Sequence, residues 1–483
     1  MCEPHTFLEA AEAILGPRGL IRDAGQIAPW LTDWRGRYTG AALALAAPAD
    51  TAQLSALLTL CSAHGVLVVP QGGNSGMSGG ATPDDSGTAL LLSLRRFDTL
   101  GEVDRDGASI TCGAGVILQT LHDAAEAADM RFPLTLGGKG SATIGGLIAT
   151  NAGGTQVLRH GTMRAQVLGV EAVLADGSVL NRLTPLKKDN RGFDLTQLLI
   201  GSEGTLGIIT AATLRLVPAI AARTVMWAGL GSVHDARRLL LHAQASVGDV
   251  LEGFEILPAH SLDAVLDYLP DARAPLTGMH KWHALIELAG DADQADALPD
   301  RAQALLETAF EAGLIADATI AASDSQAEAF WLLRDSISPA ERAIGPAMQH
   351  DISVPVARMA DFIAEATAAV EALEVEGSLG RNRAIAFGHL GDGNVHFHVL
   401  APPGTPASWM DDKGKKISAF VHDIVTRYEG SISAEHGIGQ MKVDELERLG
   451  DPVSLDIMRR VKVALDPTGI LNPGKLLVAE PNR

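Results

Sequence analysis

Three histidines crowd one short stretch, AIAFGHLGDGNVHFHVLA, at residues 384–401. Apolar residues alternate on both sides of Gly391-Asp392-Gly393-Asn394, a pattern that predicts a β-hairpin closed by that turn. In this register Leu390 opposes Val395 and His389 opposes His396, and such pairs hold their Cβ atoms about 4.5–5.5 Å apart on one face. His398, two residues on, shares that face. Neutral imidazoles suit zinc, iron, nickel and copper, so converging histidines make a candidate metal site. The plainer reading is a polar sheet face whose histidines point at water. A second cluster, Ser433 to Gly439, offers Glu435 and His436. With His389 and His396, Glu435 completes a His-His-carboxylate set of the kind that leaves coordination positions open for substrate. Zinc is the first expectation for such a set, with manganese, iron or cobalt as alternatives. An ordinary imidazole titrates near neutral pH, so His436 is the candidate general base. As sequence neighbours, Glu435 and His436 face opposite ways in an extended strand; Gly437 and Gly439 are expected to supply the bend that brings them to one centre.

A substrate carboxylate needs a fixed cation. Helical spacing over residues 330–338 places Trp331, Arg334 and Ser338 on one stripe, and a guanidinium matches a carboxylate through two parallel hydrogen bonds. On position alone, Arg334 reads as a solvated surface residue or an ion-pair partner sooner than as a carboxylate ligand.

Several elements must position these groups. Asp50, with Gln53 three residues on, predicts the start of a helix over Thr51–His64; Leu54, Leu57, Leu58 and Cys61 form its apolar stripe, and Gly65 stops it. A short strand, Val66 to Val69, then runs into Pro70-Gln71-Gly72-Gly73-Asn74-Ser75-Gly76-Met77-Ser78-Gly79-Gly80. Such a loop turns successive backbone N–H groups toward one anion, which is phosphate-cradle chemistry. Two further glycine segments, 137–154 and 200–210, suggest one extended ligand threaded among them. The dinucleotide fingerprint G-x-G-x-x-G and the motif G-x-x-x-x-G-K-[ST] are both absent. Gly76-Met77-Ser78-Gly79-Gly80 matches G-x-S-x-G, but no helix is signalled after it, so it is not a nucleophile elbow.

Composition sets the outer bounds. A chain of 483 residues, 47% hydrophobic and 20% charged, carries two or three domains. A net charge of −20 and the lack of a basic aromatic stripe argue against nucleic acid. No apolar run reaches the roughly 18–20 residues of a membrane span, and no secretory signal opens the chain. Cys2, Cys61 and Cys112 are isolated thiols without a C-x-x-C spacing, which argues against a disulfide framework. A cytoplasmic location is the expectation.

The segments PQGGNSGMSGG, IGGLIATNAGG, KKDNRGFDLTQLLIGSEGTLGIIT, FGHLGDGNVHFHV, SAEHGIGQMK and LDPTGILNPGK, in that order, resemble the FAD-dependent 2-hydroxy acid dehydrogenases of the vanillyl-alcohol-oxidase type. Within that family they are most similar to the branch that acts on D-2-hydroxyglutarate. The resemblance implies an α+β fold: a two-lobed FAD-binding domain with an antiparallel α+β cap. It implies a lead-in over 1–40, the FAD domain over 41–218, a cap bearing the metal hairpin over 219–440, and a return to the FAD domain over 441–483. Carried over, Pro70, Gly72, Gly73, Asn74, Ser75, Gly76, Gly140, Ser141, Ile144, Gly145, Thr150, Asn151, Gly204, Gly207 and Ile209 touch the cofactor. Asn74 stands where covalently flavinylated relatives often carry His, so the FAD is expected to be non-covalent.

The cap is expected to contain strands near Val225, Phe254 and Leu285 and helices over Val233–Ser246 and Ala302–Ala312. The family's W-x-x-R pattern makes Arg334 the carboxylate ligand. Two departures stand out. Gln349 replaces the Lys usual before D-[IVL]-S-[VL]-P, and His398 stands where the branch tends to have Asn; both are candidate substrate contacts with Ser338. The expected reaction is oxidation of a D-2-hydroxy acid to the 2-oxo acid, D-2-hydroxyglutarate first and D-lactate or glycolate as the alternative. The electrons are expected to leave for a separate acceptor, an electron-transfer flavoprotein, a quinone-linked carrier or oxygen, and a homodimer is the family-based expectation. Two other classes remain on the sequence: a colourless metal hydrolase whose loops bind a nucleotide, and a noncatalytic flavin-carrying subunit.

Overall fold

The computed structural model describes residues 4–373 and 380–478; Cys2 lies outside them. Contacts divide the chain into two units. One comprises 1–154, 160–219 and 435–483, and the other 155–159 and 220–434.

In the first unit, the Asp50 side chain accepts a hydrogen bond from the Gln53 backbone N–H at 2.8 Å and starts the helix Thr51–His64. Gln53 Oε1 in turn accepts from the Ala49 N–H at 2.8 Å, a reciprocal bond displaced by one residue from the usual capping box. Leu54, Leu57, Leu58 and Cys61 are fully buried, and Gly65 ends the helix. The stripe packs with a four-stranded sheet in the spatial order Leu20–Ile21, Ala44–Ala46, Leu90–Ser93, Val68–Gln71, the last three parallel. This last strand begins at Val68 and not at the expected Val66, because the Val66 N–H still bonds the Cys61 carbonyl in the helix-ending turn. The C-terminal segment joins the same sheet. Val68 N–H donates to the Ile470 carbonyl, the Asn472 N–H donates back to Val68, and Ile470 and Leu471 are fully buried.

The second lobe of this unit is an antiparallel sheet in the order Ser109–Gly113, Ile208–Arg215, Val167–Val173, Val179–Asn181. Leu118 and Leu121 of one helix and Ile144 and Ile148 of another share a core with Ile110, Val170 and Leu214 of these strands. Cys61 and Cys112 are separate buried thiols, each pushed up to about 12 by burial.

The second unit is built on seven antiparallel strands: β1 Ala222–Leu230, β2 Leu251–Pro258, β3 Trp282–Gly290, β4 Asp317–Ile320, β5 Ala347–Ser353, β6 Arg383–His389 and β7 Asn394–Leu400. Their spatial order is β4-β1-β3-β2-β6-β7-β5. Because side chains alternate along each strand, the sheet has two unlike faces. Met226, Phe254, Ile256, Ile286, Phe397 and Val399 form one apolar face with Leu239, Leu305, Phe362 and Val421 of four helices. The helices among these that were expected near Val233 and Ala302 run Val233–Val247 and Leu298–Glu311. The opposite face mixes Trp227, Leu285 and Phe387 with Glu255, Glu287, His389, His396 and His398. It is covered by Phe330, Leu333 and Ile337 of the helices Asp324–Asp335 and Ile337–Ile344.

Leu57 is fully buried between helix and sheet. Leu57→Ala is therefore expected to cost about 2–5 kcal/mol of stability through lost burial and a residual void. Thermal melting followed by circular dichroism should show a Tm several degrees lower; an unchanged Tm would mean that this stripe does not hold the helix.

Candidate active site

The glycine loops of the first unit enclose a cavity of about 620 Å³. Pro70, Gly72, Gly73, Asn74, Ser75 and Gly76 line it from the loop after Val68–Gln71. Gly140, Ser141, Gly145 and Thr150 line it from the second glycine segment, and Gly204, Gly207 and Ile209 from the third. Expected beside them, Ile144 and Asn151 do not line it. Ile144 is fully buried in the second lobe's core. Asn151 Oδ1 accepts from the Thr162 hydroxyl at 2.9 Å and the Arg164 N–H at 3.0 Å, so its side chain braces the following turn.

Close approach dictates the glycine at 73: a Cβ there would sit 1.8 Å from the Ser141 carbonyl oxygen. The neighbouring polar atoms suit a ligand rich in hydrogen-bonding groups. Among the described residues, Gln71 Oε1, Thr143 Oγ1 and Asn472 Oδ1 are buried without a hydrogen-bond partner, and all three residues line the cavity. Buried polar atoms are rarely left this way. Asn74 turns its own side chain aside, donating to the Thr32 carbonyl at 2.8 Å.

Glu435 and His436 line the same cavity. Gly437 and Gly439 adopt φ of +74° and +53°, which gives the bend expected after the two functional residues. A buried carboxylate secures that bend. Glu203 accepts from the N–H groups of Ile438 and Gly439, each at 2.7 Å, while the Ser78 hydroxyl donates to the carbonyls of His436 and Gly437 at 3.1 Å. Burial pushes the Glu203 carboxyl up, against the pull of the two N–H groups and Lys442. Sequence reasoning missed Gln71, Thr143, Glu203 and Asn472. Only Glu203 carried a signal, as an acid set inside a glycine segment.

In the second unit, the histidine hairpin differs from expectation by two residues in register. Phe387, not His389, opposes His396, and the connection runs from Leu390 to Gly393. The cause is a change of partner. Beyond Phe387, β6 leaves β7 and pairs with β2, so Gly388 opposes Ile256 and His389 opposes Glu255. A slip of two preserves the face. His389 and His396 still sit side by side, ring centroids 5.4 Å apart, with His398 6.5 Å beyond His396. Burial lowers His396 well below the ordinary imidazole value, helped by His389 and Arg334, and so favours the neutral form that binds metals. Asp351 opposes His396, and the Ala434 N–H bonds the Asp351 carbonyl at 3.2 Å. Glu435 is the next residue along the chain.

The helix expected to carry Trp331, Arg334 and Ser338 is broken. It ends at Asp335, Ser336 intervenes, and a second helix starts at Ile337 with Pro339 in its first turn, where the missing N–H breaks no helical bond. Ser338 therefore does not continue the stripe. Trp331 Nε1 donates to Glu287 at 2.6 Å. Arg334 Nε donates to Glu255 Oε2 at 2.9 Å, with the guanidinium 5.8 Å from the Phe387 ring centroid. Glu255 Oε1 accepts from His389 Nδ1. Burial alone would raise the Glu255 carboxyl, but Arg334 and His389 outweigh it and hold it at about 2. His398 donates from Nδ1 to the buried Glu341 and lies opposite Gln349 across the β5–β7 pair.

Residues 42–182 match the FAD binding domain family, and residues 220–476 match the C-terminal domain of the FAD linked oxidases. The chain belongs to the FAD-linked oxidases and is an FAD-dependent oxidoreductase. It is 37% identical over 469 residues to the probable mitochondrial D-2-hydroxyglutarate dehydrogenase of Oryza sativa subsp. indica, covering 96% of this chain and 80% of that one. It is 35% identical over 444 residues to the D-2-hydroxyglutarate dehydrogenase of Xanthomonas citri pv. viticola, covering 92% and 91%. In fold it is similar to p-cresol methylhydroxylase with substrate bound, with a TM-score of 0.74 at 14% identity over 98% of this chain and 96% of that one. The fold is α+β, with an FAD-binding domain of the vanillyl-alcohol-oxidase type. Among the described residues, no helix is long and apolar enough to cross a membrane.

The cradle at Gly73 is open to a direct check. Gly73→Ala forces a Cβ against the Ser141 carbonyl, and the purified, dialysed variant is expected to lose most of its visible flavin absorbance. Retention of the wild-type ratio of flavin to protein would remove this loop from the cofactor site.

Proposed function

We propose that the protein oxidises a D-2-hydroxy acid to the corresponding 2-oxo acid, with D-2-hydroxyglutarate as the leading substrate. The observation that carries this reading is the pairing of His389 and His396 on one polar sheet face with Arg334, which reaches from the covering helix to within 3.5 Å of His389. An imidazole pair beside a guanidinium offers what a 2-hydroxy carboxylate presents: a chelating hydroxyl and an anion. The relatives named above support the choice of substrate.

When bound, FAD supplies the acceptor for the hydride that leaves the carbinol carbon. The cavity-lining glycine segments of the first unit would hold it non-covalently. A divalent metal, with zinc favoured by the donor set, would be held by His389, His396 and Glu435, and supplies Lewis acidity that eases loss of the hydroxyl proton. His436 takes that proton. Its place beside Glu435 in the cavity wall suits the role. Arg334 takes the carboxylate at C1, its fork oriented by Glu255. Gln349 and His398, opposed across two strands, line the path of the substrate's far end, with Ser338 as a further contact.

A second reading rests on Gln349. A neutral amide at this place, with the Glu341 carboxylate behind His398, favours a substrate without a second carboxylate, such as D-lactate or glycolate. FAD, when bound, would hand electrons on to a separate carrier, an electron-transfer flavoprotein or a quinone-linked one, and we take the working form to be a cytoplasmic homodimer.

Two experiments test the reading. Adding D-2-hydroxyglutarate under anaerobic conditions should bleach the flavin, a chelator should abolish the bleaching, and Zn²⁺ should restore it. Faster bleaching by D-lactate would transfer the assignment to the second reading, and bleaching indifferent to chelator would remove the metal. His436→Ala is expected to lower kcat by about 10²–10⁴-fold with FAD content unchanged; a kcat near wild type would take the base role away from this residue.

A further inference from the structure

We infer that Glu255 is a positioning residue for both halves of the substrate site: through His389 it orients a metal ligand, and through Arg334 it orients the carboxylate fork. The inference rests on the metal reading given above and assigns the role of a residue that the reaction chemistry does not itself call for.

Glu255 lies on β2, directly opposite His389 on β6, and is 1% exposed. Its two oxygens have different tasks. Oε1 accepts from His389 Nδ1, and Oε2 accepts from Arg334 Nε at 2.9 Å. An imidazole that donates through Nδ1 presents the lone pair of Nε2, so the carboxylate selects the tautomer that ligates a metal and fixes the plane of the ring. Metal-binding histidines commonly depend on such an outer carboxylate, whose loss weakens the metal site. The same anion takes the guanidinium by its Nε edge, which sets the direction of the two terminal nitrogens. The nearer of these stands 3.5 Å from His389 Nε2. One carboxylate thus sets the angle between the metal's imidazole and the cation meant for the substrate's carboxylate.

The position is not interchangeable with its isosteric amide. A glutamine here can accept from His389 or from Arg334 through its single oxygen, but its NH2 group must then face the other donor. Arg334 also approaches Asp335, at 3.5 Å, but that side chain is largely exposed and on the same helix. It cannot replace a carboxylate that reaches across the sheet to His389.

The test uses the FAD-loaded protein, with Zn²⁺ titrated against a chromophoric chelator. Wild-type protein should bind one Zn²⁺ per chain, and Glu255→Gln should bind it about 10–100-fold more weakly, with an unchanged flavin spectrum. KM for the 2-hydroxy acid should rise in the same variant. Glu255→Asp keeps the charge but shortens the reach; it should hold one partner and fall between the two, and it serves in place of the glutamine variant should that one fail to fold. Zinc affinity within twofold of wild type in the folded variants, whatever the loss of Tm, would reduce Glu255 to a structural ion-pair partner and overturn the inference. Absence of Zn²⁺ binding by wild-type protein would instead sink the metal reading beneath it, and the two failures are told apart by the wild-type titration alone.

Discussion

A carboxylate cannot be buried to 1% exposure and remain charged unless something in the protein replaces the water it has lost. Glu255 meets that condition twice over, with a guanidinium on one oxygen and an imidazole on the other. The rest of the cap's polar face follows from this constraint. Arg334 comes to it from a helix laid over the sheet. His389 must come from β6 where it abandons β7, because only there does β6 pair with β2. Strand parity then places His396 and His398 on the same side, and a slip of a single residue would have driven the histidines into the apolar face.

The first unit solves a similar problem with backbone instead of side chains. Glu203 is buried at a left-handed position within a glycine segment, and it is met by two consecutive N–H groups of the 435–439 segment. Asn472 completes the joint by donating to the carbonyls of Gly80 and Glu203 at 3.1 Å and 2.8 Å. Three stretches distant in sequence are tied together at the wall of the cavity, and the residues that this joint presents there include Glu435 and His436. In both units a buried acid braces candidate site residues without being one of them.

What could be read from the sequence, and what could not, follows from the range of the interactions. The helix Thr51–His64 was legible to the residue because its cap, stripe and stop are all local. The shared face of His389, His396 and His398 was legible because strand parity survives an even slip. The register was not, since it depends on β2, more than a hundred residues away in the chain, taking over the end of β6. The stripe Trp331-Arg334-Ser338 failed where Pro339 opens a new helix, a local signal that helical spacing alone overrides. Glu255, Glu203 and Asn472 gave little sign of their roles. Each acts across a separation of 79 residues or more, and no period or spacing encodes such a contact. Ile144 and Asn151 sit within glycine segments that do line the cavity, while their side chains serve the core and a turn.

Electrostatics gives these arrangements a common logic. A chain of net charge −20 has to hold an anionic cofactor and an anionic substrate against its own field. Glycine loops answer the first need, since convergent N–H dipoles attract a phosphate without adding a formal charge. The second need cannot be met in that way on a β-sheet face, whose N–H groups are already spent on neighbouring strands. A side-chain cation is required there, and burying one demands an anion to compensate it. Placing that anion on the inner edge of Arg334, bonded through Nε, leaves the outer edge of the fork directed away from Glu255. The pair is close to neutral as a whole, and the two terminal nitrogens of Arg334 approach Asp335 and His389, each at 3.5 Å. On the proposed reading, such a pair would let an acidic protein select a carboxylate by orientation at a single point, where its overall charge could only repel one.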